Sequence, residues 1–123
     1  KVMLEFNNDT GSNYVAHVQY NGGSEEQNTA GGVYHVSYID ASGSPSNWYS
    51  NFEMTLFDYA NTNTYKTWQS RGMQARTTGA GQFYIFDAMG IYLSTSAISR
   101  ITLYPNAGPN FKQYSRVTLF GAR

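Results

Sequence analysis

The side chains able to do chemistry in this chain are few: two histidines, eight carboxylates and an unusual stock of aromatic rings. A zinc centre built on His17 and His35 needs further ligands from Asp or Glu. Asp9, Asp40 and Asp58 are candidates, yet no ligand spacing links them to the histidines. Both histidines fall inside alternating, strand-like runs, so both are read as structural or surface groups. FNNDTGSN surrounds Asp9 with carbonyl-rich Asn and Gly residues, an environment that could suit calcium. The alternating oxygen ligands and distal glutamate of an EF-hand loop are missing. An Asx-type turn, in which Asp9 or Asn8 holds the amides that follow, needs no metal. Asn7, Asp9 and Gly11 are therefore expected to form a structural turn, and neither a metal nor another cofactor is expected.

Catalysis finds little to stand on. With no cysteine, a thiolate nucleophile, a thiolate metal site and a disulfide framework are all excluded. There is no G-x-S-x-G elbow. Glycosidase chemistry requires two carboxylates facing each other at a set distance. Among Glu5, Asp9, Glu25, Glu26, Asp40, Glu53, Asp58 and Asp87, only Glu25 and Glu26 adjoin, and they lie in a glycine-rich stretch poorly suited to precise positioning. The chain reads as a non-enzyme.

The aromatics speak more loudly: 11 Tyr, 7 Phe and 2 Trp. Tyr and Trp carry an apolar body with one polar handle, which suits sugar platforms and protein interfaces alike. Trp48-Tyr49 follows a turn, and Tyr65 and Trp68 flank Lys66-Thr67. These four are the candidates for stacking on a glycan. The competing assignment is that the rings fill a core or a subunit contact.

The elements that must position these groups are strands. Apolar and polar residues alternate with period two in VMLEF, NYVAHVQY, VYHVSYI, NFEMTLFDY, TYKTWQS, QFYIF, ISRITLY and SRVTLFG. Val2, Leu4 and Phe6 share one face, as do Tyr14, Ala16, Val18 and Tyr20, and Phe52, Met54 and Leu56. Tyr34, Val36 and Tyr38 form another such row, and Ile101 and Leu103, then Val117 and Leu119, two more. His17 lies on the face opposite Tyr14. The intervening NNDTGSN, NGGSEEQNTAGG, DASGSPSN, ANTNT, RTTGAGQ and PNAGPN clusters carry turn chemistry. No stretch has helical periodicity. About eight short strands in 123 residues predict a single all-β domain, 1–123, folded as a jelly-roll-like antiparallel β-sandwich.

Bulk composition narrows the partners. Formal net charge is zero, which argues against a nucleic-acid or anionic-membrane partner bound by charge. Charged residues make up 13% of the chain, against roughly 25% in an ordinary soluble domain. Asn, Ser, Thr, Gly and Tyr replace them, a composition usual for extracellular or particle-surface β proteins. No run of about 18 apolar residues exists to span a bilayer as a helix. Opening at Lys1, the chain is expected to be a processed product or part of a longer one.

FNNDTGSNYVAH, NFEMTLFDYANTNTYKT and AISRITLYPNAGPNFKQYSRVTLFGAR, in that order, resemble a family of bacteriophage structural proteins frequent among marine phages. That family carries an F-N-x-D-x-G-x-N-Y-x-x-H stretch, here Phe6, Asn7, Asp9, Gly11, Asn13, Tyr14 and His17. It also carries D-Y-x-x-T-x-x-Y-K-T, here Asp58, Tyr59, Thr62, Tyr65, Lys66 and Thr67. It ends in an apolar strand, a G-x-N-F loop and a strand running into L-Y-G, here Ile101 to Leu103, Asn110-Phe111 and Leu119-Phe120-Gly121. The chain departs from the pattern in its LFGAR tail and in Pro109, which interrupts the loop. Relatives also carry a further strand before the first block. The resemblance implies a virion component on the particle surface, a capsid decoration or a tail- or fibre-associated module, with no catalytic residue. Its implied partners are other virion proteins and further copies of itself, in closed symmetry or on a lattice. The alternative is a carbohydrate-binding module that recognises host surface glycans.

Overall fold

The computed structural model describes residues 1–21, 24–31, 34–39, 47–75 and 83–121, with the backbone alone at 24–26, 28–31, 34 and 75. Among these residues there are eight strands and no helix. They are β1 (Val2–Phe6), β2 (Tyr14–Tyr20), β3 (Ser24–Gly31), β4 (Tyr34–Ser37), β5 (Asn51–Phe57), β6 (Lys66–Ala75), β7 (Phe83–Tyr92) and β8 (Ile101–Pro105). Two antiparallel layers result: three strands in the order β4-β1-β8, and five in the order β3-β2-β7-β6-β5. The chain is a β-sandwich.

Alternation fills the space between the layers. Val2, Leu4 and Phe6 from β1 are buried against Tyr14, Ala16 and Val18 from β2 and Ala88 and Tyr92 from β7. Each such aliphatic or aromatic side chain contributes about 1.5–3 kcal/mol on burial. Two glycines make room for rings. Trp68 of β6 faces Gly90 of β7 directly, and Phe86 of β7 faces Gly72 of β6. A Cβ at Gly90 would lie 2.3 Å from Trp68 Cε2 and Cζ2, and one at Gly72 would lie 2.4 Å from Asn51 O and Phe86 Cζ. In both pairs an aromatic ring covers bare backbone. Polar staples cross between the layers: Ser70 Oγ donates to Val36 O at 2.6 Å and Gln74 Nε2 to Ile39 O at 2.8 Å.

Two sequence expectations change. SEEQNTAG, expected as part of a turn cluster, is β3, an edge strand paired to β2 from Tyr20↔Ser24 to Tyr14↔Gly31. Its neighbour supplies the ladder that its polar sequence does not advertise. SRVTLFG, expected as a strand, forms none: residues 115–121 have no partner strand among the described residues, and Val117 and Leu119 are 69% and 82% exposed. The turns expected in RTTGAGQ and over 40–46 lie outside the described residues, as do Asp40, Val33 and the side chains of Glu25, Glu26 and Tyr34.

The layers are unequal. β8 lies on the β5 side of the sandwich: Ile98, just before β8, donates its amide to Tyr59 O, just after β5, and Lys112, after β8, donates to Trp48 O, before β5. On that side Phe52, Met54, Leu56, Ile101 and Leu103 pack against the core but stay only half-buried. Among the described residues the core is left partly open there.

Candidate functional site

FNNDTGSNY builds a turn from its own side chains. Asn7 and Asn8 both take left-handed φ angles, 53° and 60°, and the Asp9 amide donates to Phe6 O at 2.8 Å, closing a type I′ turn. Asn tolerates this conformation better than any other residue with a Cβ. Asp9 Oδ1 accepts from the Gly11 amide at 2.8 Å, and Oδ2 accepts from Asn13 Nδ2 at 2.7 Å and from the Tyr92 hydroxyl at 2.9 Å. The Tyr14 hydroxyl accepts from the Phe6 amide at 2.9 Å and donates to Asp9 O at 2.8 Å. Asn7 ties the same turn to the loop between β7 and β8: its Nδ2 donates to Ala97 O, and its Oδ1 accepts from the Ser99 and Arg100 amides.

These bonds set the local electrostatics. The Gly11 amide, then Asn13 and Tyr92, hold the Asp9 carboxyl below its usual range. Burial pushes the Tyr14 phenol up to about 12, and burial with the Asp9 bond raises Tyr92. Every Asp9 oxygen already has protein partners. Among the described residues no group of three or more His, Asp or Glu is placed to hold a metal ion. His17 is exposed on β2, and His35 is buried on β4 with its ring edge-on to Tyr38.

Lys66, within the TYKT stretch, is fully buried and donates to Thr64 O at 2.7 Å and Thr95 O at 3.1 Å. It joins the loop before β6 to the loop after β7. Sequence reasoning missed this role, because Thr95 lies 29 positions away.

The four glycan candidates do not share a surface. Trp68 is 2% exposed, with its indole in the core beneath Gly90, so the expectation of an exposed platform at this residue is corrected. Tyr65 is exposed just before β6, near the Phe57 end of β5. Trp48 and Tyr49 precede the opposite end of β5. Trp48 is half-buried, and Tyr49 is exposed beneath the Lys112 ammonium, which lies 5.1 Å from the ring centroid. The length of β5, roughly 20 Å for seven residues, separates the two sets.

The outer face of the five-stranded layer is the surface that sequence reading overlooked. β7 is its central strand, and the outward row of β7 carries Phe83, Ile85, Met89 and Ile91, all exposed, with Met89 at 65%. Met73 of β6 stands opposite Ile85, and Phe57 of β5 adds a further exposed ring beside Thr67. A shallow groove of about 450 Å³ runs across this face, lined by His17, Gln27, Phe57, Gln69, Met89 and Ile91. The Arg71–Asp87 pair, 2.7 Å apart and largely solvated, divides the apolar rows. A strand apolar on both faces is ordinarily a strand covered on both faces. The signal was present in FYIFDAMGIY, a nearly continuous apolar run.

No protein-family model matches the chain, and neither a curated protein nor a solved structure shows significant similarity to it.

Proposed function

We propose that this chain is a non-catalytic, jelly-roll-like structural module of a bacteriophage particle, acting as a capsid decoration or a tail- or fibre-associated subunit. The observation that carries the reading is the apolar outward row of β7, at the centre of a sheet face that a neighbouring virion subunit would cover. Exposed apolar patches of this kind mark association surfaces. Met and Ile suit such a contact better than a sugar, whose recognition relies on flat aromatic faces with polar groups between them. The resemblance of the three sequence blocks to phage structural proteins supports the particle context. A neutral surface rich in hydroxyls and amides limits nonspecific electrostatic adhesion, which suits a particle exterior.

Two assays run side by side test the reading. Native mass spectrometry of the wild type is expected to show multiples of one chain, weakened by Ile85→Asp with Met89→Asp. A glycan array is expected to stay blank. A glycan signal abolished by Tyr49→Ala or Tyr65→Ala, with no self-association, would replace this reading with the carbohydrate-binding one.

A further inference from the structure

The C-terminal segment and the open side of the sandwich match one another. Residues 115–121 alternate as a strand does, with Val117 and Leu119 on one face and Arg116, Thr118 and Phe120 on the other. Among the described residues nothing covers them: Val117, Leu119 and Phe120 are 69%, 82% and 86% exposed. An apolar stretch of this kind that pairs with no strand leaves its apolar side chains in water and its backbone free to form a ladder.

The residues just before this segment are tied to the sandwich. After β8, the Asn106 amide donates to Lys1 O, and Phe111 packs against the core. Lys112 Nζ donates to Trp48 O at 3.0 Å. A turn then closes from the Ser115 amide to Lys112 O, with Tyr114 at a left-handed φ of 69°. These anchors fix the point from which the exposed 115–121 segment departs.

On the β5–β8 side of the sandwich, β8 presents an edge with no partner strand among the described residues, beside half-buried Ile101 and Leu103. Across the core, Phe52, Met54 and Leu56 of β5 are half-buried as well. The three-stranded layer is two strands short of the layer beneath it. A strand added along β8 would place two apolar side chains in that gap.

We infer that the 115–121 segment of one copy pairs as an extra strand with the β8 edge of a second copy, seating Val117 and Leu119 against Ile101, Leu103 and the inward row of β5. The ladder supplies affinity through main-chain hydrogen bonds, and the alternating side chains set the register. If each copy gives its segment to the next, the contact is head-to-tail and closes into a ring or continues as a chain of copies. This inference does not depend on the outer face of the other layer.

The test uses the full chain in an Ile85→Asp, Met89→Asp background, so that the outer face does not contribute. Solution mass is measured across concentration together with amide hydrogen exchange. The expected mass is at least twice the 13.8 kDa of one chain, with slowed exchange at 101–105 and 115–121. Adding Val117→Asp and Leu119→Asp should return the mass to one chain and release both protected segments while the far-UV spectrum stays unchanged. Leu119→Ser alone is the milder variant and should weaken assembly in the same direction. A one-chain mass at every concentration overturns the inference, whether residues 115–121 exchange freely or are protected by folding back on their own β8. So does an assembly that survives the paired aspartates.

Discussion

Replacing Asp9 with Ala removes the acceptor for three donors at once: the Gly11 amide, Asn13 Nδ2 and the Tyr92 hydroxyl. A hydrogen bond to a charged group contributes about 1.5–3 kcal/mol when well buried, and a partly solvated one nearer 0.5 kcal/mol. The Gly11 bond is exposed and the other two are half-buried, so the loss sums to about 2 kcal/mol. For a domain of this size that lowers Tm by about 8 °C. Asp9→Asn keeps one acceptor oxygen and should cost about half as much. A double-mutant cycle with Tyr92→Phe should give a coupling of about 0.5–1.5 kcal/mol, since the two side chains meet directly. Thermal and urea unfolding of the four proteins supplies these numbers. If Asp9→Ala left stability within about 0.5 kcal/mol of wild type and abolished a binding activity, Asp9 would be a functional ligand and the turn assignment would be wrong.

Gly90→Ala pushes a methyl to 2.3 Å from the Trp68 ring within the core and should cost about 1–3 kcal/mol by urea unfolding. Lys66→Met keeps the length of the side chain but strands the Thr64 and Thr95 carbonyls, for a loss of about 1–3 kcal/mol. The pH profile of Tm should fall at both ends. Asp9, held low in the fold, stabilises above its unfolded value of about 4, and that contribution disappears as pH drops through the folded value. Tyr14, at about 12 in the fold against about 10 unfolded, stabilises fully below pH 10 and loses that contribution as pH rises towards 12. Tyr14→Phe should flatten the alkaline limb, and Asp9→Asn the acid one.

The inward rows of β1, β2 and β5 were legible because strict alternation with one wet face leaves a single parity. The turn at Asn7–Asp9 was legible because its bonds are local. β6 misled because Lys66 and Trp68 share the inward parity, and a buried lysine reads as an outward residue until its carbonyl partners are known. The same parity sends Trp68 inside and leaves Tyr65 outside. β7 hid its orientation because both its faces are apolar, so neither parity announces the core. The 115–121 stretch has the pattern of a strand but no neighbour among the described residues, and β3 has a neighbour but not the pattern. Pairing decided both cases, and pairing is not local information.

The most direct measurement is a density reconstruction of a particle that contains this protein, resolved well enough to trace β7. The expected result is many symmetry-related copies, each with Phe83, Ile85, Met89 and Ile91 beneath a neighbouring subunit. A reconstruction in which that face meets only solvent, or in which the chain sits alone with carboxylates gathered around a sugar or an ion, would contradict it.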